Sequence, residues 1–268
     1  MITGYYFHSL LRNKFLWFWG GFFSLMWSAL GAFILESGSI TPSNALPITA
    51  SWYAIITLVS FSSVSVTLSI DLAWSTNSLL FSFKFTKLSR GKYLVDLLSA
   101  WVMLSVFLIS TVILFTALMF SISSKTYVFP GPLSFLKTFA VAMLVGIFFM
   151  LLAVMLVLLV TDYSNIKFVQ FLSFIPMVLV FVLSYQLIYG SPSILLLYIS
   201  PWDSAPSLLQ ATYLNSLPVN TFVSPYPKEL SWPLALAGIV LWEVIIFALD
   251  VYLLKHIKPQ EPEAMRQV

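Results

Sequence analysis

Apolar residues run along this chain in long blocks, not in the one-face patterns of soluble elements. Six blocks approach or exceed the roughly 20 residues that a helix needs to cross a bilayer. They predict spans at Phe15–Leu35, Trp52–Trp74, Tyr93–Ser121, Lys137–Thr161, Ile166–Tyr189 and Trp232–Leu254. The connection DYSNIK between the fourth and fifth is so short that those spans form an antiparallel hairpin. From Gly190 to Ser231 lie 42 residues, a length uncommon for a structureless loop. Ser191-Pro192, and Ser204 with Pro206, read as two helix starts, a polar cap followed by proline in the first turn. SILLLYI is too short to cross, so it dips in and returns at SPWDSAP. Re-entrant backbone survives only where protein buries it.

Composition agrees. Of 268 residues, 60% are hydrophobic and 9% charged, against roughly 25% charged in a soluble domain. That apolar fraction needs lipid as its main solvent. Basic residues favour the cytoplasmic side of short loops. With the N-terminus inside, ten of the thirteen Lys and Arg residues fall on inner segments; Lys125, Lys137 and Lys228 fall outside. Both termini are therefore expected in the cytoplasm of a multi-pass protein of the cell membrane. Residues 1–258 read as one domain. The polar tail PQEPEAMRQV, 259–268, reads as flexible. No cleavable leader is expected, because MITGYYFHSLLRNKF lacks a small-residue cleavage site.

The stretch Ser78 to Leu98, SLLFSFKFTKLSRGKYLVDLL, holds four of the thirteen basic residues and much grease. On a helix, Phe81, Phe85 and Leu88 share one face, with Lys84 and Lys87 beside it. Leu79 and Phe83 fall nearly opposite. One side can lie in the lipid interface; the other is bare unless a partner covers it. The plainer reading is an interfacial helix whose lysines meet anionic lipid.

Four features together resemble the permease subunit of ABC-2 type transporters. They are the N-terminal amphipathic segment TGYYFHSLLRNKF, the helix SLLFSFKFTKLSRGKYLVDLL between spans two and three, the tight hairpin of spans four and five, and the outer segment GSPSILLLYISPWDSAPSLLQATYL. The resemblance implies an all-α integral membrane protein with six transmembrane helices. It adds a cytoplasmic coupling helix between spans two and three, and re-entrant outer helices between spans five and six. It implies two partners: ABC ATPase subunits, which bind ATP and Mg, and a second permease copy or paralogue. Phe81, Phe83, Phe85 and Leu88 would then sit in the ATPase groove, with Lys84, Lys87 and Arg90 at its acidic rim. Tyr198, Trp202 and Asp203 become outer-gate candidates, against the alternative of a lid that only seals the bundle.

This chain itself is not expected to hydrolyse ATP. Gly91-Lys92 is its only Gly-Lys pair, and Thr86 stands where a phosphate-cradling loop needs its earlier glycine. With no cysteine and two lone histidines, neither thiolate nor His-based metal sites are expected. No basic run suggests nucleic acid. Glu243 lies about halfway along the sixth span, where an ionised carboxylate costs on the order of 3 kcal/mol or more. It reads either as a pathway residue or as interhelical glue. The dense hydroxyls of span two, Ser60 to Ser69, are its expected seam partners, and Asp250 follows seven residues later on the same face. Pro176 is expected to kink span five. The second functional reading is a non-transporting membrane anchor or assembly subunit. The transported substrate is not legible.

Overall fold

The computed structural model describes residues 2–36, 38–85, 88–163, 167–222 and 226–256. The tail 259–268 lies outside them. The described elements are helical, apart from one isolated bridge between Val219 and Glu229. Five helices are long and apolar enough to cross a membrane, which fits a multi-pass membrane protein.

Helix α1, Ile2–Arg12, precedes the first long helix α2, Lys14–Leu35. Asn13 separates them: its side-chain oxygen accepts from the backbone N–H groups of Phe15 and Leu16, an N-cap. Two stretches of α2 are wound as π-helix, Trp17–Phe22 and Gly31–Leu35. Each holds a glycine at a close crossing. A Cβ on Gly20 would lie 2.3 Å from Val64 Cγ2, and one on Gly31 would lie 2.7 Å from the Trp52 ring.

Those neighbours belong to α3, Ala45–Phe85, a helix of 41 residues. Beyond Pro47 in its first turn it holds no proline or glycine, so nothing stops the helix for about 60 Å. Its apolar window is 94% buried, which makes it the central pillar of the bundle. Packed around it are α2, α4 (Arg90–Ser124), α5 (Pro132–Tyr163) and α9 (Pro201–Leu214).

The fifth expected span is broken. Helix α6, Lys167–Leu172, is separated by a turn at residues 173–174 from α7, the apolar helix Ile175–Ile188. Pro176 lies in the first turn of α7. Proline cannot donate to the preceding turn and disfavours helical backbone in the residue before it. The apolar piece therefore extends only about 21 Å, short of the roughly 30 Å hydrocarbon core. Helix α8, Ile194–Ile199, follows, then α9, and α10, Trp232–His256, closes the bundle.

Candidate functional site

The first candidate region is the junction of α3 and α4, where a separate surface helix was expected. Instead, residues 78–85 continue α3, and α4 starts at Arg90. The signal was in the sequence: Ser89 is an N-cap whose hydroxyl accepts from Lys92 N–H at 3.2 Å. The side chain of Phe81 and all of Lys87 lie outside the described residues.

The remaining predicted residues divide. Leu79 is buried, and the Phe83 ring packs edge-on to Tyr93 at 5.6 Å. Leu88 also packs against the core. Phe83 and Leu88 therefore pack on the chain's own bundle, because the α4 entry turns Tyr93 back toward α3. Phe85 is 66% exposed, with the Lys84 ammonium 5.6 Å from its ring centre. The Arg90 guanidinium lies 6.0 Å from the Phe83 ring, and its Nε donates to the Leu254 carbonyl at 3.0 Å. One side chain thus ties the ends of α3, α4 and α10 together. Helix α1 docks beside this end: Thr3 Oγ1 donates to Asp96 at 2.9 Å, and Tyr6 meets Tyr93 edge-on. Asp71 accepts from Asn13.

The second candidate region is the buried acidic face of α10. Ala235, Ile239, Glu243, Ile246 and Asp250 form its inward stripe, packed on α5, α9, α8 and α4. Glu243 Oε1 and both Asp250 oxygens are buried with no hydrogen-bond partner. The expected seam between Glu243 and the α3 hydroxyls does not form. Those hydroxyls bond elsewhere: Ser62 and Ser63 to Val59 O, Ser65 to Ser62 O, Ser60 to Gly20 O, Ser69 to Ala153 O. Short hydroxyl side chains bond most readily to the carbonyls of their own preceding turn.

The segment between α7 and α10 supplies the third region. Its helices start later and earlier than expected. Ser193 caps α8 by accepting from Leu196 N–H at 3.3 Å, so Pro192 lies before the helix. Helix α9 begins at Pro201, which places Pro206 inside it. A proline there leaves the carbonyl four residues back without its helical partner. That carbonyl is Trp202's, and the Ser184 hydroxyl of α7 donates to it at 2.6 Å. All but two of the fourteen residues of α9 are buried.

The three gate candidates sit here with different roles. Tyr198 accepts from Ser231 N–H at 2.9 Å through its phenol oxygen. Trp202 packs edge-on to Phe148 at 5.2 Å, while its Nε1 is buried without a partner. Asp203 is fully buried in the first turn of α9, a position the helix dipole favours for negative charge. Among the described residues neither oxygen makes a hydrogen bond of good geometry, and the Ser200 side chain only partly offsets their burial. Burial pushes its carboxyl above the ordinary Asp range.

No protein-family model matches this chain, and no curated protein matches it.

One feature had no signal in the sequence. Lys137 Nζ donates to Asn215 Oδ1 at 2.8 Å across a cleft of about 600 Å³. The two residues are 78 positions apart, so only the packed bundle brings them together.

Proposed function

We propose that this chain is the transmembrane subunit of an ATP-driven ABC-2 type exporter in the cell membrane, with six crossings and both termini in the cytoplasm. It builds the substrate pathway with a second copy or paralogue and leaves ATP and Mg to separate ATPase subunits. In this reading the broken α6–α7 segment is the fifth crossing. Helices α8 and α9 are the re-entrant outer pair, and α1 is the amphipathic helix at the cytoplasmic surface. The observation that carries the reading is the exposed Phe85 beside Lys84 at the α3–α4 junction. A large exposed aromatic beside a cation is a surface that a partner with an apolar notch and an acidic rim would cover. The coupling element is thus the tip of a long helix, not a helix lying across the membrane. A tip of that kind transmits a push along α3 to the middle of the bundle.

One observation favours the second reading, a non-transporting anchor. The middle of α3 is almost wholly buried within this one chain, so a pathway needs a wall from another copy. The deciding experiment is co-expression with a candidate ABC ATPase, scoring co-purification and ATP hydrolysis. Phe85→Asp is expected to lose association, and Tyr127→Asp, an exposed aromatic at the opposite end, to keep it. Full association in Phe85→Asp overturns the docking assignment.

A further inference from the structure

We propose that the cleft between the starts of α5 and α10 and the end of α9 binds the phosphate headgroup of an anionic membrane lipid, with Lys137 as the anion-binding residue. The inference does not rest on the transporter reading.

The walls come from three helices. Lys137 and Ala140 stand on the first two turns of α5, Thr212 on the last turn of α9, and Trp232 opens α10. A cleft of about 600 Å³ is in the range that holds a small-molecule ligand. Among the described residues of its lining, Lys137 is the charged one and none is a carboxylate. The ammonium carries three donors, and the bond to Asn215 Oδ1 uses one. That bond fixes the amine in place. Asn215 is held in turn by its own backbone, which adopts the left-handed conformation (φ 55°) and caps α9 through bonds to Ala211 O and Thr212 O. Lys137 is an exposed lysine at the mouth of the cleft, and the bond to Asn215 is what orients its amine toward it.

The rest of the surroundings select for an amphiphile. Beside the polar Thr212, Asn215 and Ser216, the lining has an apolar side built from Ala140, Val141 and Leu217. Leu133 and Leu136, one turn before Lys137 and Ala140 on α5, are 60% and 67% exposed. Leu234 near the start of α10 is also exposed. A headgroup seated at Lys137 thus leads its acyl chains onto bare apolar helix. Trp232 and Lys137 both stand at the starts of helices long enough to cross the bilayer, the depth at which aromatic rings and headgroups meet. A compact ammonium suits a phosphate oxygen as a point charge. Nothing in the lining would recognise the choline of a zwitterionic lipid: no carboxylate is present, and one indole is not an aromatic cage.

The test uses the full chain purified in a maltoside detergent. Dioleoyl-phosphatidylglycerol, dioleoyl-phosphatidylcholine and inorganic phosphate are each titrated. Bound lipid is counted by native mass spectrometry, with the thermal midpoint as a second readout. Phosphatidylglycerol should bind at least tenfold tighter than phosphatidylcholine and raise the midpoint by several degrees. Lys137→Gln should erase that preference, while Lys125→Gln, at an exposed lysine outside the cleft, keeps it. Ala140→Phe fills the cleft without touching the charge, and should also lower phosphatidylglycerol binding; it serves if Lys137→Gln does not fold. Equal binding of the two lipids, or undiminished phosphatidylglycerol binding in Lys137→Gln or in Ala140→Phe, overturns the proposal. An equal shift from millimolar inorganic phosphate alone assigns the cleft to a free anion and overturns the lipid.

Discussion

Gly238 of α10 and the backbone of Tyr198 in α8 approach so closely that a Cβ on the glycine would stand 2.2 Å from the tyrosine carbonyl oxygen. A backbone atom cannot swing aside as a side chain can. Trp242, one turn further along α10, donates from its indole to Ile199 O at 2.7 Å and locks the same contact. Short helix α8 is therefore pinned to α10 by two adjacent features, and the whole α8–α9 insertion is positioned by that pin. Gly238→Ala should destabilise the fold by about 1–3 kcal/mol, the usual cost of forcing extra atoms into a packed contact. Thermal unfolding in detergent measures it. Gly91→Ala is the control, since a Cβ there would meet nothing within 4 Å. Its midpoint should hold or rise, because alanine in a helix is favoured over glycine by roughly 0.5–1 kcal/mol.

Much of this architecture could be read from hydropathy, and the failures share one cause. Blocks of apolar residues placed five of the helices, because length and greasiness are properties of a segment alone. The fifth expected span is broken at residues 173–174 just before Pro176, as the expected kink there implies, so a local backbone rule divides a uniformly apolar run. The stretch Ser78–Leu98 is divided at Ser89, whose capping role starts a new helix where hydrophobicity alone would run on. Glu243 lies buried in α10, yet its expected hydroxyl partners bond to carbonyls of their own turns or of other helices instead. Periodicity says which face a residue shares; it does not say which neighbouring helix faces it. The Lys137–Asn215 pair lies wholly in that unreadable category.

Asp203 gives a pH-dependent prediction, and it lies outside the five crossing helices. Burial raises its folded-state value above the ordinary Asp value near 4. The folded chain therefore holds this proton more tightly than the unfolded chain. Its contribution to stability is fully present below the ordinary value and is lost as pH rises through the raised one. Asn at this position cannot titrate. The gap in thermal midpoint between wild type and Asp203→Asn should shift in the variant's favour as pH is raised from 4 to 8. A constant gap would show that Asp203 ionises in the fold as it does in water.

Glu243 and Asp250 have unpartnered buried oxygens, and their neutral isosteres test what those groups do. Glu243→Gln and Asp250→Asn remove the ability to ionise and keep the shape. Each should leave the thermal midpoint unchanged or higher, since an ionised carboxylate at depth is costly. Glu243→Lys puts an ammonium in the same apolar site and should prevent stable purification. If Glu243 belongs to the pathway, the well-folded Gln variant should lose most transport in reconstituted vesicles. Wild-type transport there removes it from the mechanism.

Arg90 joins three helix ends, so its loss should loosen all three. Arg90→Met keeps an apolar side chain but abolishes both the bond to Leu254 O and the guanidinium over the Phe83 ring. The expected cost is about 1 kcal/mol, the net worth of one hydrogen bond. Amide hydrogen exchange locates the effect better than a global midpoint does. Faster exchange is expected at the start of α4 and the last turn of α10, with the middle of α3 unchanged. Uniform acceleration through α3 would mean that Arg90 supports the whole bundle.

Phe83 and Phe85 are two residues apart and should behave in opposite ways. Phe83 packs against Tyr93 and the core, so Phe83→Ala opens space inside the bundle and should cost roughly 3 kcal/mol. Phe85 stands out from the tip of α3, so Phe85→Ala should change stability by no more than about 0.5 kcal/mol. Paired thermal unfolding measures both. The contrast separates folding from docking: a loss of ATPase association in Phe83→Ala is confounded by instability, whereas the same loss in a stable Phe85→Ala is not. Equal destabilisation by both substitutions would mean that Phe85 is covered by this chain, which removes the exposed aromatic on which the coupling assignment stands.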